Sequence, residues 1–231
     1  MGGEPEEPAL ANVVSQVDFG DWSIRCAYLA LAATAVSCAA LILLHVVSPE
    51  FEPSWRMVSE YANGRHGWLL TIVFFAWAVS SFALVGALRP LSASTLGLVG
   101  LGLLCLAGIG QAMGGLFDIN HKLHGPAAML GVPALCAAAV VLTIVMARQS
   151  GLAAPPLWSA HLPWLSFAAM LGALFLLFGA LKSAGVDLSA QTGPLQALPA
   201  GVSGYVGYAN RLLFLTSYLW VVLAALAVIR R

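Results

Sequence analysis

The stretch Ile24–Val47, IRCAYLALAATAVSCAALILLHVV, decides how the whole chain is read. Its only charged side chain is Arg25, at the very start, and its histidine, His45, comes two residues before the end. Everything between is apolar or small. At about 1.5 Å of rise per residue, a helix of this length crosses the roughly 30 Å hydrocarbon core of a bilayer. Five further runs have the same character: Gly67–Leu88, Ser92–Phe117, His124–Ala147, Leu162–Leu181 and Tyr208–Ile229. The expected fold is therefore all-α, a polytopic membrane protein built as a six-transmembrane-helix bundle.

Composition agrees with that reading. The chain has 231 residues, 60% hydrophobic and 9% charged, against about 45–50% and about 25% in soluble domains. So few ionic groups cannot clothe a water-facing surface of this size, so lipid must cover much of it. Ten basic and ten acidic residues cancel, which leaves no field to attract nucleic acid. Cys26, Cys38, Cys105 and Cys136 lie inside apolar runs without C-x-x-C spacing and read as small buried hydrophobes.

The segment before the first run contains Glu4, Glu6, Glu7, Asp18 and Asp21. A cleaved leader has a basic start and a shorter apolar stretch, so the first run reads as a membrane helix. This divides the chain into an acidic N-terminal tail, residues 1–23, and one transmembrane domain, residues 24–231.

Breakers fall between the runs at Ser48-Pro49, Arg89-Pro90 and Pro155-Pro156, and Gly125-Pro126 opens the fourth helix, where a missing N–H costs nothing. Pro133 lies inside the fourth run and should kink it. The third run is rich in glycine, and Gly110-x-x-x-Gly114 permits close backbone approach. That places the third helix at the centre of the bundle. Two connections are long. Ser48–His66 contains Ser54 as a helix N-cap and Asn63-Gly64 as a stop, with Trp55, Val58 and Tyr61 on one interfacial stripe. Lys182–Gly207, rich in Gly and Pro, reads as an irregular flap.

Tracing the helices up and down puts Arg25, Arg89, Arg148, Arg230 and Arg231 on the side of the termini. Arg56, Arg65, Lys122, Lys182 and Arg211 fall opposite. The positive-inside count is a tie. Arg89, Arg148 and the terminal pair abut helix ends in bland connectors, and this tips the assignment toward cytoplasmic termini in a bacterial inner membrane.

The same tracing gathers His45, His66, His121 and His124 with Glu60, Asp118 and Arg211 on one side, leaving His161 on the other. Ionisable groups at membrane depth mark sites or pathways. The densest piece is Asp118-Ile-Asn-His121-Lys-Leu-His124. If helical geometry continues past Phe117, Asp118 and His121 share a face with Gln111, about 10 Å deeper. His124 would open the fourth helix, where backbone N–H groups favour anions.

Two readings of this cluster stand side by side. In one, Asp118, His121 and His124 are metal ligands for zinc or iron, with Glu60 or His66 as a further ligand or base, and Asp118, His121, His124 and Glu60 are the catalytic groups of a lipid hydrolase or transferase. In the other, these residues hydrogen-bond helix ends and meet interfacial water. His45 could supply a haem ligand with a second histidine, or simply be a satisfied core histidine. Ser59, Glu60, Tyr61, Asn210 and Arg211 complete the cluster. Arg211 would either pair with Glu60 or Asp118 or bind an anionic headgroup. Lys182, near a helix end, reads as a snorkelling side chain.

Ser59-Glu60-Tyr61-Ala-Asn-Gly-Arg-His-Gly67-Trp68-Leu, Gly115-Leu-Phe-Asp118 and Gly207-x-x-Asn210-Arg211 together resemble the bacterial membrane proteins grouped as domain-of-unknown-function family 998. The likeness runs from about Ile24 to Ile229. Members of that family commonly carry an acidic residue before the arginine, where this chain has Asn210. The resemblance implies a bundle of about six helices and brings no reaction with it.

The sequence thus leads to a pocket lined by Glu60, His66, Gln111, Asp118, His121, His124 and Arg211, facing the non-cytoplasmic side. Ser59, Tyr61 and Asn210 would contribute to ligand binding. The expected partners are membrane lipids and a lipid or small amphiphile. The rival classes are the metal-assisted enzyme and a structural or partner-binding subunit. Oligomeric state has no signature in the chain.

Overall fold

The computed structural model describes residues 18–149, 151–187 and 195–231. Among the described residues the regular structure is helical throughout. Six long helices run α1 Asp21–Val47, α2 Trp68–Leu88, α3 Thr95–Leu116, α4 His124–Ala147, α5 Leu157–Ser183 and α6 Val206–Ile229. Two short 3-10 helices, η1 Val58–Asn63 and η2 Arg89–Ala93, sit in the first two connections. All six long helices are long and apolar enough to cross a membrane, and the protein is a multi-pass membrane protein.

Boundaries follow local chemistry. Ser94 caps α3, its hydroxyl accepting the Gly97 N–H at 3.0 Å, so that helix begins three residues later than hydropathy alone suggested. Pro90 turns the preceding residues into η2. α5 starts a turn or more earlier than the apolar run, at Leu157, because Pro156 supplies a preset φ just ahead of it. α4 has the expected ends and holds Pro133 within it.

Successive helices are neighbours, and α6 closes the ring against α1 while also touching α2 and α4. Small residues on α1 let α2 approach. Thr34 and Ser80 share a 2.6 Å hydrogen bond, and Ser37 donates to the Val73 carbonyl at 2.7 Å. These bonds satisfy hydroxyls that hydrocarbon could not. At the far wall Trp220 donates its indole N–H to Thr143 Oγ1 at 2.9 Å.

The expectation that α3 occupies the centre is corrected. α6 and α2 are the most enclosed, with 61% and 56% of their apolar windows buried against 44% for α3. The α3 glycines serve close contacts with two neighbours. A Cβ at Gly110 would lie 2.4 Å from the Cα of Gly131 on α4, and one at Gly114 would lie 3.1 Å from Phe74 on α2. Leu101, Leu104 and Ala107 are buried beside these glycines, while Leu98, Val99, Leu106 and Ile109 face outward. α5 is the least enclosed helix, with 17% of its window buried.

The first long connection also differs from its expected form. Its helical turn begins at Val58, not after Ser54, whose hydroxyl donates to Glu52 instead at 2.6 Å. Gly64 does end it. The turn is not laid on the interface: Trp55, Val58 and Tyr61 are all buried. The connection folds into the mouth of the bundle, where three helices bury more of its apolar area than an interfacial position would.

Of the acidic tail, residues 1–17 lie outside the described residues, and so do residues 188–194 of the flap. Asp18 stands within 3.4 Å of Arg231. The four cysteines are free thiols.

Candidate functional site

The end of the bundle opposite the termini holds three arrangements: a clasp, a connector and a cavity.

The clasp joins the start of α6 to the connection before α2. Gly207 makes it sterically feasible. Its N–H donates to the Ser54 carbonyl at 3.0 Å, and a Cβ there would meet the Pro53 carbonyl oxygen at 2.4 Å. One turn on, Arg211 spreads its guanidinium over the same loop. Nη1 donates to the carbonyls of Arg56 at 2.6 Å, Gly207 at 3.0 Å and Pro53 at 3.3 Å. Nη2 donates to the Tyr61 hydroxyl at 3.2 Å, and Nε to His45 Nε2 at 2.6 Å. Asn210 caps η1 from outside, its Oδ1 accepting the Val58 N–H at 2.8 Å.

The expected pairing of Arg211 with Glu60 or Asp118 is therefore corrected. Glu60 pairs with Arg56, 2.8 Å away, four residues back on the same connection. Its other oxygen accepts the Met57 N–H at 2.8 Å. Arg56 in turn stacks against Trp55 and Phe51 and donates to the Leu195 carbonyl, tying the flap to the clasp. Both members of the pair are buried, at 5% and 9% exposure. Burial pushes the Glu60 carboxyl above its ordinary range, opposed by the Met57 N–H and the Arg56 and Arg211 charges. A local cation, Arg56, satisfied Glu60 first, and backbone carbonyls satisfied most of Arg211.

The connector between α3 and α4 is not a continued helix. α3 ends at Leu116, and Phe117 is extended at φ −114°, ψ 102°. Asp118 Oδ1 then accepts the Asn120 N–H at 2.9 Å in a tight turn, and Asn120 donates to Asn63 Oδ1 at 2.8 Å. His121 Nδ1 accepts the Leu123 N–H at 3.2 Å, and its ring stacks on Phe117. His124 Nδ1–H donates to the Phe117 carbonyl at 2.8 Å. Asp118, His121 and His124 each spend a lone pair or proton on local backbone. Among the described residues no three His, Cys, Asp or Glu side chains stand together as a metal-holding set. The structure thus does not bring Asp118, His121 and His124 into a ligand sphere, nor Glu60 to their side. His45 has both ring nitrogens engaged, one by the Leu41 carbonyl at 2.6 Å and one by Arg211. That arrangement does not suit an axial haem ligand.

The cavity lies below the connector, between α2, α3, α4, α5 and α6, and encloses about 330 Å3, within the roughly 300–1,000 Å3 of small-molecule sites. Phe74, Trp77 and Phe214 form one wall, Gly110 and Gly131 another, and Phe167, Leu171 and Leu174 of α5 a third. Its polar lining is sparse: Ser59, His124 and Asn210 toward the mouth, Gln111 deeper. Gln111 is buried and satisfied. Turned so that its amide nitrogen faces Ser81 Oγ at 2.7 Å and the Trp77 carbonyl at 3.1 Å, it accepts the Trp77 indole N–H at 3.2 Å. It braces α3 against α2, and the expected polar line from Asp118 down to Gln111 does not form.

Of the residues singled out from sequence, Ser59, Gln111, His124 and Asn210 line the cavity, while Glu60, Tyr61, His66, Asp118, His121 and Arg211 stand outside its described lining. Sequence reading missed the apolar majority of the site. The signal that could have found it is the pairing of Gly110 with Gly131 beside Pro133, where close helix contact and a missing N–H coincide.

A family model described as "Protein of unknown function (DUF998)" matches residues 31–227. No curated protein and no solved structure matches the chain.

Proposed function

We propose that this chain, which belongs to the family of unknown function DUF998, binds or carries a lipid or small amphiphile in the cavity between α2 and α6. The observation behind the reading is the distribution of chemistry along that cavity. From His124 at its mouth to Leu135 is about 16 Å of helix, and the wall over that depth is aromatic and aliphatic. Hydrogen-bonding groups gather at one end. Such a polarity gradient fits a molecule with an apolar tail and a small polar head. α5, the least enclosed helix, forms the wall on the lipid side, which provides a route of entry from the bilayer.

With the termini cytoplasmic, as the arginines abutting helix ends favour, the mouth opens at the non-cytoplasmic face of a bacterial inner membrane. Of the clasp only Asn210 lines the site, while Arg211 supports it from outside by holding η1 and therefore Met57 and Ser59 over the opening.

The test is the lipid retained after mild detergent extraction, identified by mass spectrometry. Filling the cavity with Leu174→Trp or Val132→Trp should remove that lipid and leave the unfolding temperature within a few degrees of the parent. Unchanged lipid content in both well-folded variants would sink the reading.

A further inference from the structure

We infer that the cavity selects an amphiphile whose headgroup is uncharged and bears hydroxyl groups, a monoacylglycerol or long-chain alcohol, over an anionic one. This deepens the binding reading above and rests on it.

The first observation is charge. No Lys, Arg, Asp or Glu belongs to the described lining. The nearest guanidiniums are committed elsewhere: Arg211 to three backbone carbonyls, Tyr61 and His45, Arg56 to Glu60 and the Leu195 carbonyl. Within that lining an anion would lose its water and meet no cation, Lys122 standing exposed on the connector outside it.

The second observation is the start of α4, whose His124 and Gly125 line the mouth of the cavity. The His124 N–H donates to the His121 carbonyl and the Ala127 N–H to the Leu123 carbonyl, each at 2.9 Å. Pro126 has no N–H to give. Only Gly125 is left, so this terminus is not the anion cradle that an open helix start provides.

The third is the balance of unused capacity. In the neutral ring, His124 donates from Nδ1 to Phe117, so Nε2 is an acceptor. Pro133 deprives the Met129 carbonyl of its helical donor, and Met129 lines the cavity. Ser59 offers a hydroxyl. Asn210 Nδ2 has only the Met170 thioether at 3.2 Å, a weak acceptor. The lining therefore offers acceptors, His124 Nε2 and the Met129 carbonyl, beside the donors of Gly125 and Asn210, and only a group that both gives and receives can answer both. A carboxylate or phosphate brings acceptors alone, whereas a hydroxyl both gives and receives.

A matched pair of probes decides the matter: 1-monooleoylglycerol and its 3-phosphate share chain and glycerol and differ in charge. Each is titrated into detergent-purified protein and bound copies are counted by native mass spectrometry. The neutral probe is expected to bind at least about tenfold more tightly, and His124→Phe to weaken it about three- to tenfold. Leu174→Trp should abolish binding of both probes, with Val132→Trp in its place should the first misfold. Equal or tighter binding of the phosphate, still blocked by the tryptophan, would overturn the headgroup inference and leave the cavity reading intact. Binding of neither probe, or binding indifferent to the tryptophan, would bring down both.

Discussion

Arg211 Nε–H points at Nε2 of His45 from 2.6 Å, and the Nδ1–H of the same ring donates to the Leu41 carbonyl. A carbonyl can only accept, so Nδ1 carries the proton and Nε2 offers its lone pair. The imidazole is a neutral relay between α1 and the guanidinium on α6. Its role is to hold two helices at a fixed angle around the folded loop. Removing either partner should cost stability by leaving the other short of a bond. Arg211→Lys keeps the charge but loses the planar fork, and about 2–3 kcal/mol should go with it. A double-mutant cycle of His45→Ala with Arg211→Ala, read by unfolding in detergent, should give a coupling on the order of 1–2 kcal/mol. Additive effects would show that the pair does not act as a unit.

Glu60 gives stability a pH signature. Burial holds its folded carboxyl above the ordinary range, so across the interval from about 4.3 up to its folded value the native state binds more protons than the unfolded one. Stability from this group is then fully present at the acid end and is lost as pH rises through the folded value. The difference in melting temperature between pH 5 and pH 7.5 should therefore favour acid in the parent more than in Glu60→Gln. The opposite ordering would mean that Arg56 and Arg211 outweigh burial.

Two glycines at opposite ends of crowding make a paired test. Gly207→Ala drives a methyl into the Pro53 and Arg56 carbonyl oxygens, 2.4 and 2.7 Å from the new Cβ. Both obstacles are backbone, so the clasp must open, at about 2–4 kcal/mol. Gly179 on α5 has nothing within 4 Å, and Gly179→Ala should stay within about 1 kcal/mol of neutral. Similar thermal shifts for the two would contradict the clasp geometry.

Asn210 acts through its oxygen. Asn210→Ala removes the acceptor for the Val58 N–H and should cost about 1–2 kcal/mol, with faster hydrogen exchange across 57–63. Asn210→Asp keeps an oxygen in place and should preserve that protection. Equal exchange in all three proteins would show that η1 is held by burial alone.

The membrane spans were legible because hydropathy over some twenty residues is a property of the segment, insensitive to packing detail. His124–Ala147 was read with its ends in place for that reason. The clasp was only half legible. Arg211 stood out as a charge near a membrane boundary, but its partners are mostly carbonyls, which every residue has and no sequence motif marks. The acidic residues that seemed natural partners were spent nearer home, Glu60 on Arg56 and Asp118 on the Asn120 N–H. The connector drew attention by residue type, yet its histidines bond to local backbone once α3 stops at Leu116. The cavity was least legible: a hollow is defined by what side chains fail to fill, and apolar lining looks like any other apolar stretch.

Gly110 and Gly131 press main chain against main chain on the α3–α4 side of that hollow, leaving no side chain there to compress or swing aside. The opposite boundary, α5, is backed by no other helix among the described residues along Phe175 and Leu176, 78% and 71% exposed. A guest of greater girth can then be admitted in one direction alone, with α5 yielding outward while α3 and α4 stand as an anvil.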